Sequence, residues 1–250
     1  MRKRRFVAGL LCMITLLFGS VPTMAASSKS VTYTQANEIC TYVYQGYNEG
    51  TKGPIIITKG TLTKGSSTKT IYLVTLSGTE TVTNQSTGYL TDLLVGFNLN
   101  NAYLSNAVKA ITSTVPKNSN LILSGHSLGG MVAQQIAANT TIKNNYNVLN
   151  TVTFGSPLIS AGSREGTVKR LGDTSDVVLY LSATGQIIWQ VAGLNRENGG
   201  YGTDAYNAHV GSYLRSDVWG KYDVLGYKNG SASITLDLST QTYFKSPTNY

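Results

Sequence analysis

Three features of the sequence predict an α/β protein whose mostly parallel central sheet is covered by helices on both faces. Short apolar runs such as Leu121 to Leu123 and Val148 to Phe154 have the length of buried strands. Segments with apolar residues at helical spacing separate them, and alternation of that kind requires crossover connections and a parallel sheet. Gly or Pro closes the runs, as Pro116 and Gly155-Ser156-Pro157 do.

The chain opens with Arg2-Lys3-Arg4-Arg5, an apolar stretch from Phe6 to Phe18, and Thr23-Met24-Ala25. A basic start, a short apolar core and small residues before Ala26 read as a secretory signal over residues 1–25. The apolar stretch falls short of the roughly 20 residues a spanning helix needs. Residues 26–250 then form a single domain that is secreted, with loose association at a cell surface as a variant of that expectation. The net charge of +8 drops to +4 once the four leading basic residues leave, and no long basic run remains. Nucleic acid is therefore not an expected partner. Of the two cysteines, Cys12 departs with the signal, so Cys40 has no intramolecular partner and reads as a small buried hydrophobe. Two histidines and scattered carboxylates offer no metal-ligand spacing, so neither metal nor cofactor is expected.

Within the domain, Ile39, Cys40, Val43, Tyr44 and Tyr47 fall on one side of a helix expected over residues 32–47. Two strands follow, over 54–61 and 69–76, joined by a polar Gly/Ser/Lys turn. Residues 80–100 hold Leu90, Leu93, Leu94, Val95 and Phe97 between Thr, Asn and Gly, a pattern suited to a flap over a site. A helix is expected over 101–115, stopped by Pro116, and residues 222–242 alternate like an antiparallel hairpin.

The chemistry concentrates in Leu121-Ile-Leu-Ser-Gly125-His126-Ser127-Leu128-Gly129. An apolar strand, G-x-S-x-G and then Leu128, Met131, Val132, Ile136 and Ala137 at helical spacing together read as a nucleophile elbow. Such a turn strains the backbone at Ser127, exposes its hydroxyl, and uses Gly125 and Gly129 to let strand and helix approach. A serine hydroxyl needs a base to take its proton and a carboxylate to orient that base. His126 is locked beside Ser127 with its ring directed elsewhere, which leaves His209 as the base. The acid must come from Glu165, Asp173, Asp176, Glu197 or Asp204, which lie between serine and histidine. Asp204 is too near His209 in sequence to reach the far side of its ring. Asp176, directly before the apolar Val177-Val178-Leu179, is the choice, and Asp173 its rival. The oxyanion of an acyl-transfer intermediate needs two N–H donors, expected from Leu128 and from Thr79 in the loop after Tyr72 to Leu76.

Gly78-Thr79, Ser124-Gly-His-Ser-Leu-Gly-Gly130, Thr151-Val-Thr-Phe-Gly-Ser-Pro157, Asp176-Val-Val and the late His209 with Tyr213 together resemble the class 3 lipases over residues 35–215. The resemblance implies an α/β-hydrolase fold, hydrolysis of carboxylic esters such as acylglycerols, and a triad of Ser127, Asp176 and His209 with Thr79 and Leu128 as oxyanion donors. Ser77 stands where that family commonly has Arg, and Leu179 where Pro is expected. The expected partners are an acyl ester or lipid substrate and, transiently, a lipid interface. Two other uses of the scaffold stay open: a secreted binding protein without turnover, and an acyltransferase built on the same serine.

Overall fold

The computed structural model describes residues 29–48, 50–78, 100–180 and 193–246. Among these, nine strands form one sheet in the order β1-β8-β2-β3-β4-β5-β6-β7, with β9 also on β2. The strands are β1 (Ser30–Tyr33), β2 (Ile55–Lys64), β3 (Ser67–Leu76), β4 (Asn120–His126), β5 (Asn147–Phe154), β6 (Thr167–Asp173), β7 (Leu194–Glu197), β8 (Ser233–Asp237) and β9 (Thr242–Phe244). From β3 to β7 every pairing is parallel, and the antiparallel pairings lie at the β2 end. The mostly parallel α/β architecture expected from the sequence is thus the one observed.

Period-two side chains feed a separate apolar layer on each face. Ile56, Leu73 and Ile122 join one cluster with α1 (Ala36–Tyr44) and α6 (Ser216–Trp219). Their chain neighbours Ile55, Ile57, Val74, Leu121 and Leu123 join the other. That second layer is covered by α2 (Asn100–Thr114), α3 (Leu128–Ala138) and α4 (Thr140–Asn145). Cys40 is buried in the first layer, where desolvation holds its thiol well above the ordinary range, as suits a space-filling residue.

Three local expectations need correction. The helix expected over 32–47 is shorter, because residues 30–33 pair with β8 as a strand and Glu38 accepts the N–H groups of Thr34 (2.7 Å) and Gln35 (2.9 Å), capping α1 at Ala36. The first turn narrows to Gly65-Ser66, since β2 and β3 pair all the way from Ile55↔Leu76 to Lys64↔Ser67. Residues 222–242 do not form one hairpin; an isolated antiparallel bridge joins Tyr222 to Lys228 around a tight turn. β8 and β9 instead bind successive stretches of β2, Gly60 to Thr63 and Ile55 to Ile57, because β2 is the long strand with an edge left to satisfy.

The parallel strands end in step: Leu76 lies opposite Gly125, His126 opposite Phe154, and Phe154 opposite Leu171. Segments leaving β3, β4, β5 and β6 therefore converge at one end of the sheet, where open α/β sheets bind their ligands.

Candidate active site

Ser127 sits at that end with φ 55° and ψ −125°, as the residue that caps α3 directly after β4. Non-glycine residues avoid this conformation, so its presence between strand and helix marks the strained elbow expected from the motif. The glycines have steric reasons. A Cβ on Gly125 would collide with the backbone of Gly129, and one on Gly129 with the carbonyls of Leu76 and Ser77. The Ser127 N–H donates to the Phe154 carbonyl at 3.0 Å, tying the elbow to the end of β5. Leu128 opens α3, so its N–H belongs to the first turn of N–H groups without an intrahelical partner. Thr79, the other expected oxyanion donor, lies outside the described residues, as do the expected signal segment and most of the expected flap. Gly78, immediately before it, lies against the elbow: a Cβ there would sit 2.9 Å from Ser127 Cβ.

His209 is carried by α5 (Ala205–Gly211) and reaches the same crest. Its Nδ1–H donates to Asp176 Oδ2 at 2.9 Å, both groups being essentially buried. That bond holds the proton on Nδ1, so in the neutral ring Nε2 is the basic nitrogen. Asp176 Oδ2 also accepts from the Tyr213 hydroxyl at 2.6 Å, and Oδ1 from the Val178 N–H at 2.9 Å. Burial and the Asp176 charge push the Tyr213 phenol well above its ordinary range, so it remains a donor. The pair rests on Gly155, whose φ is +55° and whose Cβ would lie 2.8 Å from Asp176 Oδ2 and 3.0 Å from His209 Nδ1. Phe154, which holds the Ser127 amide, is the residue before it. The residue that holds the Ser127 amide and the residue beneath the His209–Asp176 pair are thus neighbours at the end of β5.

The rival carboxylate has other work. Asp173 accepts from the N–H groups of Ser175 (2.8 Å) and Gly199 (3.0 Å) and from the Ser212 hydroxyl (2.5 Å). It ties the loop before α5 and the turn after it to β6. Asp204 accepts from the Asn207 N–H at 3.1 Å and starts α5, while Glu197 pairs with Lys221 and Lys228. Leu179, at the position where a Pro was expected, is buried against Gly172 and leaves Asp176 in contact with His209.

His126 forms a second layer behind the first. Its Nε2 lies 2.9 Å from the His209 carbonyl, a group that can only accept, so Nε2 carries the proton. Burial first, and then the neighbouring His209, hold this ring well below the ordinary histidine range and hence neutral. Nδ1 must then accept, and the Tyr47 hydroxyl donates to it at 2.7 Å. The same hydroxyl accepts from the Gly78 N–H at 2.7 Å. Tyr44 adds a bond to the Val210 carbonyl at 2.8 Å. An unbroken chain of hydrogen bonds therefore links the amide before Thr79 to the backbone of His209, with the rings of His126 and His209 4.6 Å apart.

With this geometry in place, residues 91–171 match the model of the PGAP1-like alpha/beta domain, an α/β-hydrolase-type family. The mostly parallel sheet covered by helices is consistent with an α/β-hydrolase-like domain. No curated protein and no solved structure matches the chain. The matched segment holds the elbow, α3, β5 and most of β6, and it ends before Asp176 and His209. It points to a hydrolase; the likeness to class 3 lipases is a finer statement than this match.

Sequence reasoning overlooked the residues that brace the Thr-Phe-Gly-Ser-Pro segment. Arg170, fully buried, donates to the Ser156 carbonyl from Nη2 at 3.0 Å, and desolvation lowers it to about 10. Gln134 donates to the Pro157 carbonyl at 2.8 Å and accepts from Arg164 at 2.6 Å. A Gln at an inward position of a largely apolar helix was the available signal, because such a group must find partners once buried. Ser77 is explained by space: Gly46 packs so closely that a Cβ added there would lie 2.9 Å from Ser77 Cβ and Oγ, leaving no room for an arginine.

Proposed function

We propose that the protein is a secreted serine hydrolase of carboxylic esters, with acyl lipids as the substrate class, working through an acyl-enzyme on Ser127. The observation that carries this reading is the buried 2.9 Å bond from His209 Nδ1 to Asp176, beside a serine strained at the strand-to-helix turn. Ser127 Oγ attacks the ester carbonyl while His209 Nε2 takes its proton, and Asp176 stabilises the imidazolium that forms. The oxyanion rests on the N–H groups of Leu128 and Thr79. His209 then protonates the departing alcohol, and a water activated by the same ring releases the acid. Ser127 and His209 are only 3% and 2% exposed, so the charges develop in surroundings largely free of bulk water, where fixed donors act strongly.

The test is Ser127→Ala measured against short- and long-chain p-nitrophenyl esters, with circular dichroism to establish folding. The expected loss in kcat/KM exceeds about a thousandfold. Undiminished hydrolysis by the folded variant removes the assignment. Labelling of the native protein by a fluorophosphonate separates the hydrolase from a binding protein on the same scaffold, since only an activated serine reacts.

A further inference from the structure

A second concave site lies at the other end of the sheet from Ser127. It is a groove of about 290 Å³ between the β2–β3 hairpin and the starts of β5 and β6. Register explains its composition. Leu62 lies opposite Lys69 and Lys64 opposite Ser67, so all four side chains project from one face of the hairpin. Leu62, Leu149 and Leu225 give it an apolar floor continuous with one core layer. Lys64, Lys69 and Tyr227 stand on its rim.

The wall is built rather than incidental. Asp223 accepts from the N–H groups of Leu225 and Tyr227, each at 3.0 Å, and Asn150, 3% exposed, donates to the Leu225 carbonyl at 3.1 Å. Gly226, at φ +81°, brings this turn so close to β6 that a Cβ would lie 2.7 Å from Lys169 Cβ. As a result the Lys169 ammonium lies 4.3 Å and that of Lys64 4.9 Å from the centroid of the Tyr227 ring. Two cations converge on one aromatic ring and a third stands beside them. Among the described residues, none of the ion pairs involves Lys64, Lys69 or Lys169, and no carboxylate belongs to the groove's lining. Positive charge gathered at an apolar floor is complementary to a molecule that carries an anionic head and a short apolar chain.

We propose that this groove binds an amphiphilic anion, its carboxylate or phosphate head at Lys64 and Lys69, with Lys169 adding positive charge beside Tyr227, and its chain over Leu62, Leu149 and Leu225. The site stands apart from the ester chemistry at Ser127 and does not depend on it. Calorimetric titration of the full chain tests it with four probes: octyl phosphate, octanoate, inorganic phosphate and neutral octyl glucoside. Octyl phosphate or octanoate is expected to bind at least tenfold more tightly than either inorganic phosphate or octyl glucoside. A preference for octanoate identifies a fatty acid as the occupant, and a preference for octyl phosphate a phosphorylated lipid. In Lys64→Gln/Lys69→Gln/Lys169→Gln the affinity for the preferred probe should fall at least tenfold, and in Lys69→Glu alone at least fivefold, with ester hydrolysis unchanged in both. Inorganic phosphate binding as tightly as the alkyl probes overturns the proposal. So does an affinity that survives the triple substitution, which would place the anion elsewhere, including near Ser127.

Discussion

Asp173 and Asp176 are three residues apart, both buried, and both hydrogen-bonded to the segment that carries His209, yet they should fail in different ways when neutralised. In Asp176→Asn an amide replaces the acceptor 2.9 Å from His209 Nδ1. The favoured response is a shift of the ring proton to Nε2, the nitrogen that accepts from Ser127 in the proposed mechanism. Loss of the correct tautomer and of the charge opposite the imidazolium costs about 10³ to 10⁴ in kcat, equivalent to about 4 to 5.5 kcal/mol. The fold should suffer less, since the Val178 N–H keeps its oxygen and the Tyr213 hydroxyl, which donated to the replaced Oδ2, can accept from the new amide instead. Asp173→Asn reverses the pattern. Three bonds to a carboxylate, from Ser175, Gly199 and Ser212, lose their charge assistance and one loses its acceptor. At about 1.5 to 3 kcal/mol for a bond to a charged group, a loss of about 2 to 4 kcal/mol of stability is expected, or roughly 5 to 15 °C in Tm for a chain of this size. kcat for the fraction still folded should stay within about tenfold of the parent. Steady-state hydrolysis of a p-nitrophenyl ester well below the variant's Tm, paired with thermal unfolding, reads both quantities. If folded Asp173→Asn loses as much kcat as Asp176→Asn, the division of labour between these carboxylates is wrong.

Other expectations follow from the same geometry. Gly155→Ala should fold with a penalty of about 1 to 2 kcal/mol for a side chain at positive φ and should lose most of its activity, because the new methyl group falls within 3.0 Å of both Asp176 Oδ2 and His209 Nδ1; normal turnover in the folded variant would disprove the close packing. Tyr47→Phe leaves the Gly78 N–H and His126 Nδ1 without the hydroxyl they share, at about 1 to 3 kcal/mol each, and kcat should fall at least tenfold with KM within twofold if this chain aligns the oxyanion loop. His126 remains neutral in the folded protein, whereas in the unfolded chain it takes up a proton below about pH 6.5. Its contribution to stability is therefore complete above that pH and declines on acidification, by about 1.4 kcal/mol at pH 5.5. Tm measured from pH 7.5 to 5.5 should show this decline in the parent and a flatter line in His126→Gln.

What the sequence made legible was local, and the reason is the range of the forces concerned. The elbow occupies nine consecutive residues and combines strand, strained turn and helix, each with its own periodicity or glycine requirement, so Ser127, Gly125 and Gly129 could be placed without any long-range contact. The parallel sheet was legible for a similar reason, as strand-length segments such as Leu121 to Leu123 and Val148 to Phe154 alternate with segments at helical spacing. The boundary of α1 was not, because β1 becomes a strand only through its pairing with β8, some two hundred residues later. The tyrosines were misread in kind. Tyr44 and Tyr47 have helical spacing and count as apolar by pattern, yet each presents a hydroxyl to a polar chain around His126, whose partners come from β4, the residues after β3 and α5, all far along the chain. The choice between Asp173 and Asp176 has the same origin. Both flank one turn, where the Asp176 N–H donates to the Asp173 carbonyl at 3.1 Å, and the turn presents one carboxylate to His209 and the other to Ser212, three residues further on. A segment that must be held in register by one acid and oriented by the other needs both. The two carboxylates are therefore parts of one device: Asp173 fixes where the segment lies, and Asp176 fixes which nitrogen of its histidine can accept a proton.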